Sequence, residues 1–499
     1  MFSIYIDTPM EVINFKMKDH AMLQITDAEP GVISQLNDYF TFEVPGAKFM
    51  PAVKARRWDG KIRMLNRTNG EINVGLYWAI KKFCMERGYG IKVEDGPYGV
   101  PYEINKLNHM KTLSWVGTLG LPFAPRDYQY DAMCHAIKFK RSILISPTGS
   151  GKSLIIYMLM RWYMENHDKK LLVIVPTTSL VEQMWADFEA YGFNVEENCH
   201  KIYSGKDKET DKRVIITTWQ SIYKLHPVWF KEFGCIFGDE VHGFKSKSLS
   251  SIMNKAYNAE YRFGTTGTLD GTQVHKLVLE GLFGPVHRVT TTAVLQEKKQ
   301  LASLDIDIIL LKHSKENREK LIGATYQEEI DFIVSHAGRN RFISNLALSL
   351  TGNTLVLFNL VDKHGKVLRD LVEDKIDEGR KLFYVSGETK TSDREAIRNI
   401  VETQTDSIVI ASLGTFSTGI NIKNIHNIVF ASPSKSQIRV LQSIGRGLRL
   451  SDDGRTTKLY DIADDLRSGK PNFTLLHSAE RVKIYNRELF KHKISEVVI

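Results

Sequence analysis

The sequence predicts an α/β protein with two tandem parallel-sheet lobes behind a small N-terminal α+β domain, and three observations lead there. Between residues 126 and 288 short apolar runs alternate with helix-like stretches: Ile143-Leu-Ile145, Leu171-Leu-Val-Ile-Val175, Val214-Ile-Ile-Thr217 and Cys235-Ile-Phe237. Runs without polar alternation are strands buried on both faces, as in a parallel sheet covered by helices. A second series, Thr354-Leu-Val-Leu-Phe358, Lys381-Leu-Phe-Tyr-Val385, Ser407-Ile-Val-Ile410 and Asn427-Ile-Val-Phe430, predicts a second lobe over residues 289–465. Residues 1–115 instead hold short alternating runs, which suit a smaller mixed domain.

In that first block, Phe40-Thr-Phe-Glu-Val44 and Lys61-Ile-Arg-Met-Leu65 read as strands. Leu76 to Met85 reads as an amphipathic helix closed by Gly88. Between the strands lies Lys54-Ala-Arg-Arg-Trp-Asp-Gly-Lys61, where Arg56, Arg57 and Lys61 surround Trp58 and Asp59-Gly60 makes a tight turn. Such a tip can track a phosphate backbone while Trp58 stacks on an unpaired base. It equally suits a solvated hairpin with Trp58 folded back as core. Residues 97–125, broken repeatedly by Gly and Pro, read as a loop-like linker ending near residue 125. Leu475 to Ile499, with Arg481, Lys483, Arg487, Lys491 and Lys493 among apolar residues, reads as a basic amphipathic helix within a C-terminal segment 466–499.

The 499 residues are too many for one core and suit two to four domains. Hydrophobic content of 42% and charged content of 25% are those of a globular protein. A net charge of +9 favours a polyanionic partner. Cys84, Cys134, Cys199 and Cys235 form no Cys-x-x-Cys pair, so neither a zinc site nor a disulfide framework is indicated, and a reducing cytoplasm suits them. No leader-like apolar segment and no span of bilayer length is found in the sequence.

Chemistry concentrates at three places. Ser146-Pro-Thr-Gly-Ser-Gly-Lys-Ser153 follows an apolar strand and opens a helix, so loop N–H groups and the helix dipole converge on one anion-binding point. Thr148, Gly149, Ser150 and Gly151 would cradle the phosphates of ATP, Lys152 would reach the outer ones, and Ser153 would offer its hydroxyl to Mg²⁺. Ser146 replaces the first glycine of the strict pattern, while Gly149 and Gly151 keep the backbone freedom that close approach requires. Gly238-Asp-Glu-Val-His242 follows the strand Cys235-Ile-Phe237, on the sheet edge that holds the phosphate loop. There Asp239 can hold Mg²⁺ with Ser153, and Glu240 can orient the attacking water. In the second lobe, Gln442-Ser-Ile-Gly-Arg-Gly-Leu-Arg449 places Arg446 and Arg449 three apart, planar donors suited to a γ-phosphate across a shared cleft.

The ordered set resembles the superfamily 2 helicases of DExH type, over about residues 120 to 460. Arg126-Asp-Tyr-Gln129 is similar to an adenine-reading Q motif, Ser146–Ser153 to motif I, Pro176–Leu180 to motif Ia, Thr217–Gln220 to motif Ib, Asp239–His242 to motif II and Thr266–Thr268 to motif III. Leu357-Phe358, Ser412–Asn421 and Gln442–Arg449 are similar to motifs IV, V and VI. The resemblance implies two RecA-like lobes closing on ATP and Mg²⁺. Arg126 and Gln129 would sit at the adenine, Asp239 and Glu240 would be metal ligand and catalytic carboxylate, and Gln442, Arg446 and Arg449 would act from the second lobe. His242, Thr266 and Thr268 would couple nucleotide state to lobe position, and Thr177, Thr218, Ser412 and Thr418 would line the strand groove. Each of these hydroxyls, taken singly, also suits turn and cap chemistry.

A narrower resemblance spans nearly the whole chain. Arg57-Trp-Asp-Gly-Lys-Ile-Arg63, Ile80–Cys84, Thr218–Gln220, Thr325-Tyr-Gln-Glu-Glu-Ile330 and Phe416–Ile420 resemble the recombination helicases of T-even bacteriophages. That family implies action on branched DNA: Holliday junction migration, fork regression and R-loop unwinding, with recombination and repair as its setting and the host cytoplasm as its place. It also implies single-stranded DNA and the RNA of R-loops as partners; a small accessory protein and a monomer in isolation are further expectations that the sequence does not decide. Competing expectations are a duplex translocase driving a larger complex, an RNA helicase, and a nucleotide-gated clamp without turnover.

Overall fold

The computed structural model describes residues 11–44, 46–203, 205, 207–244, 246–269, 273–298, 304–419, 422, 424–432 and 456–499. The chain forms two compact units, Met1–Ser146 with Gly151–Val289, and Thr290–Ile499 with Pro147–Ser150.

The first unit contains the small α+β domain and one RecA-like lobe. The domain's mixed sheet pairs Val12–Met17 antiparallel with Met22–Asp27 and parallel with Gly90–Glu94, and Glu71–Asn73 closes one edge. Helix Tyr77–Arg87 ends on Gly88 in the left-handed conformation, the stop its sequence signals. Thr41–Glu43 and Lys61–Arg63 form the expected antiparallel ribbon.

The domain is seated on the lobe by backbone contact. A Cβ at Gly75 would fall 2.0 Å from the Glu280 carbonyl oxygen and 2.7 Å from that of Gly281, so no other residue fits there without displacement. Leu277 of helix Gln273–Phe283 joins the domain's own core beside Leu76 and Ile72. His20 N–H donates to the Tyr257 carbonyl at 3.0 Å, and Asn73 Nδ2 to Asn254 Oδ1 at 3.0 Å.

Seven parallel strands make the first lobe's sheet. In spatial order they are Val286–Arg288, Arg141–Ile145, Tyr261–Thr266, Phe233–Gly238, Lys170–Val175, Val214–Thr218 and Cys199–Ile202. Every residue of the central ones except Lys170 is buried, which is why their sequences run largely apolar without alternation. Residues 97–125 are not wholly loop-like: Asn108 caps a helix His109–Gly117 that the Gly and Pro spacing obscures.

The second unit has its own seven-stranded parallel sheet. Its order is Lys381–Val385, Ser407–Ser412, Thr354–Phe358, Asn427–Phe430, Thr457–Asp465, Leu304–Lys312 and Lys491–Val498. The single C-terminal helix expected over 475–499 is replaced by helix Phe473–Arg487 and then the edge strand Lys491–Val498. Arg481, expected on the outward basic face, is buried instead, donating Nε and Nη2 to the Asp461 carboxylate at 2.8 and 2.7 Å. Charge pairing inverts the amphipathic reading there. The Thr325–Ile330 stretch is structural: Thr325 and Glu328 form a capping box, and buried Glu329 accepts the Phe473 and Thr474 N–H groups at the head of helix Phe473–Arg487.

Candidate nucleotide and nucleic-acid site

The carboxyl ends of the first sheet's central strands gather the predicted groups. Strand Tyr261–Thr266 lies between Arg141–Ile145, which leads into the phosphate loop, and Phe233–Gly238, which leads into the acidic pair. Thr265 and Thr266 therefore stand between the two motifs. Ser146 N–H donates to the Thr266 carbonyl at 2.9 Å.

Within the loop, Gly149 and Gly151 adopt φ +83° and +78°, a region glycine enters freely. Ser150 Oγ donates to the Pro147 carbonyl at 2.7 Å, and Thr148 is half-buried in the turn. Gln129 covers the end of the loop. A Cβ at Gly151 would lie 2.3 Å from Gln129 Nε2, so glycine is needed for the amide to sit there. Gln129 Oε1 accepts the Arg126 N–H at 2.9 Å, and Arg126 Nη1 donates to the Tyr128 hydroxyl at 3.0 Å, so the segment is braced by its own hydrogen bonds.

Lys152 Nζ lies 3.2 Å from Glu240 Oε1 and 3.5 Å from the Ser146 carbonyl. Glu240 is a non-glycine residue at φ +49°, held in that strained conformation by its N–H to Asp239 Oδ1 at 2.9 Å and its carbonyl to Gly243 N–H at 2.8 Å. Its Oε2 is 3.3 Å from His242 Nδ1 and accepts the Gly267 N–H at 3.4 Å. Burial pushes the Glu240 carboxyl up, but the Lys152 and His242 charges outweigh it and hold it below the usual range. Asp239 goes the other way: burial first, then repulsion from Glu240, pushes it up to about 6.

Thr265, absent from the sequence-based set, donates Oγ1 to Asp239 Oδ1 at 2.6 Å. The coupling residues do come together. His242 Nδ1 and Thr266 Oγ1 are 2.7 Å apart, and Thr266 Oγ1 donates to the Thr268 carbonyl at 2.7 Å. One strand end thus touches both motifs. A second unforeseen partner is Tyr191, whose hydroxyl is 2.9 Å from Ser153 Oγ. Neither Thr265 nor Tyr191 carried a sequence signal, because each meets its partner only across the fold.

Asp239 and Ser153 are hard oxygen donors, the type Mg²⁺ takes together with nucleotide phosphates. The Asp239 carboxylate, raised by burial and then by the Glu240 charge, would gain a counter-charge from a cation there. The residues present therefore suit the ion.

The groove candidates divide. Thr177 Oγ1 accepts the Leu180 N–H at 3.4 Å as the cap of helix Thr178–Ala190, and Thr218 Oγ1 is 2.9 Å from Ser221 Oγ. Gln220 Nε2 donates to the Pro176 carbonyl at 3.2 Å, tying the two loops at adjacent strand ends. Ser412 Oγ donates to Thr415 Oγ1 at 2.7 Å. Thr177 and Ser412 thus accept backbone N–H groups of their own loops, and Thr218 pairs with a neighbouring hydroxyl. Trp58 is half-buried, its indole N–H donating to the Lys61 carbonyl at 2.9 Å within the hairpin, while Arg56 and Arg57 are exposed and Lys61 is half-buried. The Thr418 side chain, Gln442, Arg446 and Arg449 lie outside the described residues.

Three family models match the chain: "Type III restriction enzyme, res subunit" over residues 122–271, "DNA helicase UvsW, N-terminal" over 12–94, and "Helicase conserved C-terminal domain" over 338–451. The ATP-dependent DNA helicase uvsW of Enterobacteria phage T4 is 35% identical over 498 residues, covering 94% of this chain and 97% of that protein. The chain belongs to the UvsW family of superfamily 2 helicases. The crystal structure of T4 UvsW matches with a TM-score of 0.53 at 34% identity, over 98% of this chain and 100% of that one. A DNA-bound Type ISP restriction-modification enzyme, LlaBIII, is similar in fold with a TM-score of 0.54 at 15% identity, over 82% of this chain and 33% of that one. As in other UvsW relatives, the enzyme class is an ATP hydrolase coupled to DNA unwinding.

Proposed function

We propose that this ATP-dependent DNA helicase works on branched DNA, migrating junctions and regressing forks, with nucleotide turnover at the edge formed by Lys152, Asp239 and Glu240. The observation that carries the motor reading is the Lys152–Glu240 pair at 3.2 Å. In this pair Lys152 occupies the carboxylate that hydrolysis requires. Phosphates entering the loop compete for the ammonium and release Glu240 Oε1 to orient water. Mg²⁺, held by Ser153 and Asp239, would neutralise charge on the phosphates.

Release of Glu240 is felt beyond the nucleotide. Its other oxygen contacts His242 and the Gly267 N–H, and both adjoin Thr266. A change at the γ-phosphate is therefore transmitted to the end of strand Tyr261–Thr266. The second lobe would supply Arg446 and Arg449, so turnover and lobe closure go together. Thr177, Thr218, Ser412 and Thr418 mark the loops that would track one strand by its phosphates with little sequence preference. Arg56, Arg57 and Lys61 would hold the branch point.

The test is ATP turnover by the wild type and Glu240→Gln, each alone, with single-stranded DNA, with a four-way junction and with single-stranded RNA of matched length. Junction-stimulated turnover that exceeds the other three and disappears in Glu240→Gln is the expected result. Equal or better stimulation by RNA, or no advantage of the junction over a plain strand, would reduce the reading to a generic nucleic-acid motor.

A further inference from the structure

Between the N-terminal domain, the linker and the first lobe lies a cavity of about 300 Å³ on the sheet edge opposite the nucleotide site. Arg141, at its floor, begins the strand whose other end leads into the phosphate loop, roughly 13 Å away along the strand. The walls are aromatic: Trp78 from the domain, Tyr102 from the linker and Phe139 from the lobe, exposed by 45%, 44% and 37%. Three large rings left open around one hollow are unusual, since buried contact with the neighbouring domain was available to them.

Around the cavity Lys81, Lys138 and Arg141 stand against one lining carboxylate, Glu103, which Lys140 pairs at 3.0 Å. Lys81 Nζ stands 5.4 Å from the Trp78 ring and Lys138 Nζ 5.5 Å from the Phe139 ring, which sets two ammonium groups beside two of the walls. Beneath, Arg141 is buried with its guanidinium donating to the His20 carbonyl, and its Nη1 has no acceptor among the described residues. Its strand neighbour Arg262 is fully buried, its guanidinium bonded among the described residues to the carbonyls of Met253, Ala256 and Ala259. Asp19 and Glu260 act on these two buried guanidiniums only through space, with no carboxylate bonded to either among the described residues, so the ground under the aromatic hollow is basic.

We propose that this cavity seats an unpaired nucleotide of a second DNA strand, its base stacked among Trp78, Tyr102 and Phe139 and its phosphates beside Lys81 and Lys138. The chemistry is that of a strand-binding platform: π-faces for any base and cations for the backbone. Gly75, which permits no Cβ against Glu280 and Gly281, keeps the wall from the domain fixed relative to the wall from the lobe. A branched substrate offers two strands at once, and this site holds the one that the motif-bearing edge does not. The proposal rests on the branched-DNA reading above.

The experiment is fluorescence anisotropy of a labelled four-way junction, and separately of a short labelled oligothymidylate, with wild type, Trp78→Ala and Lys81→Glu, alongside DNA-stimulated ATP turnover and thermal melting. Stacking of one base is worth roughly 1–3 kcal/mol, so Trp78→Ala is expected to weaken junction binding about 5- to 150-fold. Lys81→Glu should weaken it less and steepen with falling salt, while saturating turnover and melting temperature hold in both. Junction affinity within twofold of wild type in both variants, with turnover still stimulated, overturns the cavity proposal and leaves the helicase reading standing. A wild type whose turnover no junction stimulates removes the reading beneath it. Should Trp78→Ala melt early, Lys81→Glu, a surface change, decides alone.

Discussion

The two sheets place charge at the same edge and treat it in opposite ways. In the first lobe, Lys152 and Glu240 pair with side chains 11% and 20% exposed, within reach of a ligand. In the second, Asp464 accepts Nε of Arg339 at 2.9 and 3.0 Å and faces His313 Nε2 at 3.0 Å, all three side chains sealed from solvent. Arg339 goes on to bond the Ala431 carbonyl at 2.8 Å, and Ser432 Oγ bonds His364 Nδ1 at 3.0 Å. A pair that a ligand can reach is exchangeable, and the nucleotide can take over one of its partners. A sealed triad has no replacement partner, so its worth is structural.

That contrast can be broken most directly by exchanging the carboxylates for amides. Glu240→Gln should lower turnover by about 10²- to 10⁴-fold, the range of a lost general base, with little change in the urea midpoint. Asp464→Asn should do the reverse in kind, costing about 3–5 kcal/mol in urea unfolding because Arg339 stays buried without its counter-charge. A large stability loss in the first variant, or none in the second, would collapse the distinction.

Acid sharpens it. Burial first, and then the Arg339 charge, pull the His364 imidazole down to about 3. The unfolded chain binds a proton there below about pH 6.5 and the folded chain does not, so stability is intact above that pH and falls as pH drops. Between pH 6.5 and 5 this site alone costs about 2 kcal/mol, and the stability gap between wild type and His364→Gln should close by that amount over the same range, read by denaturant unfolding at each pH. The smallest effect belongs to the cap at the first sheet's edge. Thr177→Ala should cost about 1 kcal/mol of stability and leave single-strand affinity unchanged, because its hydroxyl serves Leu180 rather than a phosphate.

What the sequence disclosed follows the same division. The phosphate loop and acidic pair were legible because their chemistry is local: contiguous residues after an apolar strand fix both the geometry and the neighbours. Thr265 and Tyr191 were not, since each reaches its partner across the fold, 26 and 38 positions away. The Arg339–Asp464 pair spans 125 positions and left no pattern at all. Strand Leu304–Lys312 escaped notice because Asp305 and Asp307 interrupt its apolar run, and both line a solvent-open hollow beside Lys458 and Lys493. Lys491–Val498 failed for a related reason. An edge strand buries only part of itself, and its spaced lysines mimic the polar face of a helix.

Strand Leu304–Lys312 also sets a clock. It pairs on one side with Thr457–Asp465 and on the other with Lys491–Val498, and neither partner exists when it is made. At the usual pace of synthesis, the roughly 150 residues that separate it from its first neighbour take roughly ten to thirty seconds to appear. In the first lobe Arg141–Ile145 also waits for its neighbours, which begin at Tyr261 and Val286, yet both are complete by Arg288. The nascent chain therefore carries a finished nucleotide-binding half while the other waits with an open sheet, and that interval is when it is most exposed to mispairing with another copy of itself.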